Sequence, residues 1–255
     1  MIGALIRKDL SSLRLYLRSL VVALIACFAG TAIPIYFDAR EAGLSFADSR
    51  IMIASILAGG SLLGLIVVSI FSALLSGSII TLERSDRSSQ FLACLPPTRF
   101  QNYLSKLIVV ASAVLLSLGI CLLAWFVAYQ LNHSGETPLG SSELTKNKPL
   151  FFVRGFLRFA DSWSDATVYT LFALLASIVG GSLLVSLWSR SNAIPTFGGI
   201  VTPIVLWFAM ISTLRLLNLT LSPEEMFNLF FCVTAGSGLC CVLASGWVYL
   251  VQREF

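Results

Sequence analysis

Long apolar runs alternate with short polar segments along the chain. Six runs have close to, or more than, the ~20 residues that cross a bilayer as a helix. They cover residues 20–37, 51–80, 107–131, 166–188, 194–214 and 226–251. The second is long enough to tilt or to extend beyond the membrane. Pro34, Pro195 and Pro203 are expected to end or kink helices, and residues 189–192 leave room only for a tight hairpin.

The first 19 residues have the pattern of an amphipathic helix, with the basic and apolar side chains on opposite faces. The apolar stripe comprises Ile2, Leu5, Ile6, Leu10, Leu13 and Leu17, and the opposite face holds Arg7, Ser11, Arg14 and Arg18. Such a helix is typical of the membrane interface, although a signal-peptide start is an alternative. Asp9 lies on the apolar side for no reason that the pattern supplies. Residues 150–159 predict a second interfacial helix within the loop 132–165.

Residues 81–106 form a polar segment between the second and third apolar runs, with a pattern that a simple connection would not need. Its charges are mostly Glu83, Arg84, Asp86, Arg87 and Arg99, and its apolar trio is Phe91, Leu92 and Leu95. Ser85 or Asp86 can cap a short helix that the pair Pro96-Pro97 ends. Thr98 and Gln101 have the spacing of a capping box. The segment predicts a small helical foot outside the membrane, joined to both neighbouring spans.

Composition assigns the whole chain, residues 1–255, to one transmembrane domain of the all-α class. Hydrophobic residues make up 57% and charged residues 12% of the chain, whereas soluble domains have about 25% charged residues. The six cysteines lie mostly in apolar runs, which favours buried thiols over a disulfide framework. A bundle of six transmembrane helices is therefore expected.

The distribution of charge predicts the orientation of these helices. With the N-terminus inside, the inner segments hold ten basic and four acidic residues, and the outer segments hold seven and nine. Basic residues accumulate on the cytoplasmic side of membrane proteins. Both termini and residues 81–106 are therefore expected in the cytoplasm, and the loop 132–165 outside an inner (cell) membrane.

Several kinds of chemistry have no signature in the sequence. Because no Gly-Lys dipeptide occurs, a nucleotide-binding phosphate loop is excluded. His133 is the single histidine and has no evident metal partners, and no motif of a serine hydrolase, redox dithiol or zinc protease is present. No catalytic, cofactor-binding or metal-binding residue is predicted. The apolar runs contain no Asp, Glu, Lys, Arg or His that could serve as a proton relay, so energy for transport would come from elsewhere.

Several of these motifs together resemble the membrane subunits of type-2 ABC exporters. The resemblance rests on the opening LIRKDL, on six spans, and on the order of residues after span two. That order is an acidic residue (Glu83), a short helix (90–94), Leu95-Pro96, a polar and a basic residue (Thr98-Arg99), then Lys106-Leu107. Pro97 departs from the family's usual residue, and residues 218–228 are too short for the re-entrant helices that many members have.

The resemblance implies a role for residues 81–106 as a coupling helix that docks on a separate cytoplasmic ATPase subunit. Phe91, Leu92 and Leu95 would form its apolar anchor, with a charged rim of Glu83, Arg84, Asp86, Arg87 and Arg99. ATP would be used by that partner, and this chain would bind no cofactor. A second permease copy, the same or related, would complete the exporter within the lipid bilayer; no nucleic-acid partner is expected. Gly60, Gly64, Gly236 and Gly238 would allow close helix packing, within one subunit or between two.

Two other functions remain open at this point. One is a secondary transporter or channel for a neutral solute, which would need no charge in the spans. The other is a membrane enzyme or a scaffold of envelope chemistry, for which Asp161, Ser162, Ser164 and Asp165 are the only polar cluster near a span. These four residues are more simply interpreted as helix-capping residues.

Overall fold

The computed structural model describes residues 2–41, 49–85, 98–134, 151–162, 164–189, 191, 193–216 and 222–251. This part of the chain is all-helical and contains no strand. Its eight helices are α1 (Ile2–Ser12), α2 (Arg14–Glu41), α3 (Ser49–Ser85), α4 (Arg99–His133), α5 (Phe151–Asp161), α6 (Asp165–Ser186), α7 (Ala193–Leu216) and α8 (Pro223–Val251).

Six of the described helices are long and apolar enough to cross a membrane, which confirms the six predicted runs. They are α2, α3, α4, α6, α7 and α8. Five of the six helices are longer than the corresponding runs, and α3 has 37 residues and α4 has 35. At 1.5 Å per residue each is about 50–55 Å long, well above the ~30 Å hydrocarbon thickness. Both therefore have room to continue outside the membrane, as expected for the second run.

Side-chain caps explain where two of the helices begin. The predicted capping box at α4 is present: the Thr98 amide donates to Gln101 Oε1 and the Gln101 amide to Thr98 Oγ1, both at 3.3 Å. Ser164 Oγ accepts the Thr167 amide at 3.2 Å before α6, which confirms a capping role for this serine. Each such cap contributes about 1 kcal/mol to its helix.

Two of the three prolines that were expected to end or kink helices lie inside helices. Pro34 and Pro203 lie inside α2 and α7, and neither ends its helix. Pro195 is in the first turn of α7, where an amide hydrogen has no helical partner.

The helix predicted over residues 1–19 divides at Leu13, because α1 ends at Ser12 and α2 begins at Arg14.

Several hydroxyl side chains inside the spans are satisfied by their own helices. Ser55, Ser76 and Thr234 are buried, and each donates to the carbonyl four residues earlier at 2.6–2.8 Å. A membrane interior offers no water to such groups, so this local bond removes most of the cost of burying them. Serine and threonine can therefore occur in apolar spans without marking a polar pathway.

The chain divides into two units. Unit 1 comprises Met1–Tyr16, Ser69–Val114 and Tyr169–Phe255, and unit 2 comprises Leu17–Val68 and Leu115–Val168. Helices α3 and α4 contribute residues to both. In unit 2, a core of Ile35, Ile51, Ala54, Val153 and Leu157 joins α2, α3 and α5.

In unit 1, glycines bring α6 against α7 and α8. A Cβ on Gly199 would lie 2.0 Å from Ser182 Oγ, and one on Gly180 would lie 2.5 Å from the Gly238 carbonyl oxygen. The short α6–α7 connection that was predicted is confirmed, with Ser182 Oγ donating to the Pro195 carbonyl at 2.9 Å. Large side chains such as Phe197, Phe208 and Trp247 are exposed on α7 and α8, as is normal for helices that face lipid.

Candidate functional site

The predicted coupling residues fall largely outside the described part of the chain. Asp86, Arg87, Phe91, Leu92 and Leu95 lie outside the described residues. Of the remaining three, Glu83 and Arg84 belong to the last turn of α3 and Arg99 is the first residue of α4. The helix ends that flank the segment belong to the described residues, and a buried polar cluster lies near the beginning of α4.

The centre of this cluster is a buried ion pair between α1 and α4. Lys106 Nζ lies 3.7 Å from Asp9 Oδ1, and both side chains are almost completely buried. Ser105 Oγ donates to Asp9 Oδ2 at 2.6 Å, so both carboxylate oxygens have a partner on α4. Lys106 Nζ also donates to the Ile79 carbonyl of α3 at 3.5 Å. One ammonium group therefore joins three helices.

A second set of bonds joins the same turns of α4 to α8. Tyr103 Oη donates to the Val242 carbonyl at 2.9 Å and lies 2.7 Å from Ser245 Oγ. Asn102 Nδ2 donates to Tyr249 Oη at 2.9 Å. A Cβ on Gly246 would lie 3.0 Å from the ring of Tyr103. We call the cluster of Asp9, Asn102, Tyr103, Ser105 and Lys106 the α4 junction.

The α4 junction supplies the reason for Asp9 that the sequence pattern lacked. An acidic residue on the apolar side of a basic helix is costly unless a cation neutralises it. The cation is Lys106, which precedes the third apolar run by one residue and lies inside α4. In the sequence, Asp9 and Lys106 are two opposite charges at the edges of apolar stretches. No sequence pattern indicates that they form a pair.

Helix α2 also contains a buried acidic residue that lies outside the first apolar run. Asp38 follows the first run in sequence, yet it lies inside α2 and is buried, with 8% of its surface exposed. The apolar runs contain no charged residue, but α2 is longer than its run at this end and does contain one. Neither Asp38 nor Lys106 stands alone, because each has a bonding partner.

The four candidate packing glycines have different surroundings. A Cβ on Gly60 would lie 2.2 Å from the Phe28 ring, and one on Gly64 would lie 2.7 Å from Cys121 Sγ. Gly238 is equally tight, since its Cβ would lie 2.6 Å from the Ala176 backbone carbon. Gly236 has nothing within 4 Å of its Cβ position. Three of the four glycines thus have close neighbours within this chain.

The described side chains provide no arrangement for metal chemistry. Among them, no group of three or more His, Cys, Asp or Glu residues could hold a metal ion. Cys27, Cys121, Cys232, Cys240 and Cys241 are free thiols, and Cys94 lies outside the described residues. The α4 junction consists of hydrogen bonds and one ion pair.

Comparison with protein-family models, with curated proteins and with solved structures finds no match to this chain.

Proposed function

We propose that the chain is the membrane-spanning subunit of an ATP-driven exporter that works with a separate cytoplasmic ATPase and a second permease copy. The observation that carries the proposal is the α4 junction. Its four α4 residues lie within the first eight residues of that helix, at the C-terminal end of the segment 81–106 that resembles a coupling helix. A force on residues 81–98 would act directly on this end of α4.

The bonds of the α4 junction indicate how such a force would spread. Lys106 connects α4 to Asp9 on α1 and to the Ile79 carbonyl on α3, and Tyr103 connects α4 to α8. Because Asp9 and Lys106 are buried, pulling them apart would leave charges without compensation. A displacement of α4 would therefore carry α1, α3 and α8 with it, which is the behaviour that a transport cycle driven from the cytoplasm requires.

A second candidate function is a secondary transporter, and the same ion pair favours it. Buried ionisable residues in membrane proteins often belong to ion or proton pathways, and Asp9 and Lys106 are such residues. The two functions differ in what the purified chain does alone. Transport in liposomes under a proton gradient, without any ATPase, would favour the carrier; co-purification with a soluble ATPase would favour the exporter.

The proposed docking element predicts a strong effect of Phe91→Asp. A charge placed in an apolar anchor is expected to cost about 2–4 kcal/mol of binding free energy, which is about a 30- to 1000-fold loss of affinity for the ATPase. The measurement is a quantitative pull-down of the co-purifying ATPase. Leu139→Asp likewise replaces an apolar side chain by a carboxylate, in the loop predicted to face the other side, and this variant is expected to bind the ATPase normally. Full binding and ATPase stimulation by a correctly inserted Phe91→Asp variant would rule out this segment as the coupling element.

The proposed orientation in the inner membrane has its own test. In a variant without the six native cysteines, Glu143→Cys is expected to react with a membrane-impermeant maleimide in intact cells, and Arg87→Cys only after permeabilisation. The charge distribution is the physical reason, since it places ten basic residues on the side of residue 87. Reaction at position 87 with protection at position 143 would reverse the orientation.

A further inference from the structure

Helix α5 packs against other helices of unit 2 through one buried side. Val153, Leu157 and Ala160 have no exposed surface. Val153 and Leu157 pack with Ile35 of α2 and with Ile51 and Ala54 of α3. Ala160 packs with Ala58 of α3 and Ala128 of α4. The apolar side of this short helix is thus covered by three spans of the same unit.

The N-terminal end of α5 is held by α2. Asp38 Oδ2 accepts the backbone amide of Val153, the third residue of α5, at 3.2 Å. A carboxylate at this place satisfies an amide that has no partner within its helix and interacts favourably with the helix dipole. Because Asp38 is buried, moving α5 away would remove the partner of a buried charge.

The C-terminal end of α5 is held by α4. Trp125 Nε1 donates to the Phe159 carbonyl at 3.1 Å, and the two rings stack with centroids 4.6 Å apart. The Asn132 side-chain amide donates to the Asp161 carboxylate, and His133 Nε2 lies 3.8 Å from Asp161 Oδ1. Trp125 and Asn132 are both fully or almost fully buried.

The middle of α5 is fitted to α3. A Cβ on Gly59 would lie 2.9 Å from the Phe156 ring, so the absence of a side chain on α3 makes room for this aromatic side chain. Nearer the beginning of α3, Arg50 Nε donates to the Leu131 carbonyl of α4 at 2.7 Å. The three spans under α5 are therefore joined both directly and through α5.

We propose that α5 acts as a clasp, meaning that its contacts hold α2, α3 and α4 together at one end of unit 2. These spans then separate there only when α5 dissociates from them. The sequence predicted an interfacial helix at this position. The helix is present, and Val153, Leu157 and Ala160 on its apolar side pack on protein. The exposed side holds Phe152, Gly155 and Arg158. This inference does not depend on the energy source of transport.

The clasp predicts a large difference in thiol reactivity between two positions of α5. The background is the full-length chain without native cysteines, purified in detergent. Gly155→Cys, at an open position, is expected to react rapidly with a maleimide. Ala160→Cys, at a position with no exposed surface, is expected to react at least about 100-fold more slowly, since it reacts only when α5 opens. Equal rates at the two positions would overturn the proposal.

Loosening one attachment tests whether the opening is local. Trp125→Phe keeps a stacking ring and removes the N–H donor, so reaction at position 160 is expected to accelerate about 5-fold. Trp207→Phe in unit 1 is the matched control and is expected to leave that rate unchanged. Ala73→Cys, buried in unit 1, reports on unfolding of the rest of the protein and is expected to remain slow. No acceleration at position 160, or equal acceleration at positions 160 and 73, would contradict the clasp.

Discussion

Lys106→Met is expected to lower the free energy of unfolding by about 3–5 kcal/mol. Methionine is an apolar side chain of similar length. It removes the ammonium group that lies 3.7 Å from Asp9 Oδ1, and so leaves the buried carboxylate of Asp9 without its cation. Ser105 continues to donate to Asp9, yet one neutral donor does not compensate a carboxylate charge in this environment. The measurement is denaturant-induced unfolding in mixed micelles, followed by tryptophan fluorescence.

Two further variants distinguish loss of the ion pair from loss of a side chain. Arg7→Met removes an exposed cation from α1 and is expected to change stability by no more than about 0.5 kcal/mol. Asp9→Leu combined with Lys106→Met removes both charges and is expected to recover most of the loss, because apolar replacements of a whole buried pair are often neutral or stabilising. A double variant no more stable than Lys106→Met would show that the two charges do not compensate each other.

Gly238→Ala is expected to lower the free energy of unfolding by about 1–3 kcal/mol. Its new methyl group would lie 2.6 Å from the backbone carbon of Ala176 and 2.7 Å from the Ser177 nitrogen. Backbone atoms cannot rotate away as a flexible side chain can, so α6 and α8 would have to move apart along their contact. The same unfolding measurement reports the change.

Gly236→Ala is the matched control, two residues earlier on the same helix. Nothing lies within 4 Å of its Cβ position, so alanine is expected to be neutral or to stabilise α8 by about 0.5–1 kcal/mol. Equal stability of the two variants would mean that α6 and α8 are not in close contact at Gly238. If Gly236→Ala instead shifts the chain from dimer to monomer, the exposed glycine contacts a second copy.

The amino-acid sequence by itself determined the number of long helices and their approximate positions. Run length and apolar content are local properties, and a bilayer accepts an apolar stretch of about 20 residues almost regardless of what surrounds it. Capping is local as well, which is why Thr98 with Gln101, and Ser164, were identified before any tertiary contact was known. The six spans and these caps are therefore properties of short segments.

The tertiary structure decided which polar groups compensate one another and which helix faces are covered. Asp9 lies 96 residues from Ser105, and Asp38 lies 115 residues from Val153, so no local pattern pairs them. The same is true of α5, whose amphipathic pattern fits a membrane surface as well as a protein surface. Gly236 and Gly238 lie two residues apart on α8, yet only Gly238 is in close contact with the backbone of another helix. The cost of a buried charge or of an added methyl group is set by the atoms that approach it in three dimensions, and those atoms come from distant parts of the chain.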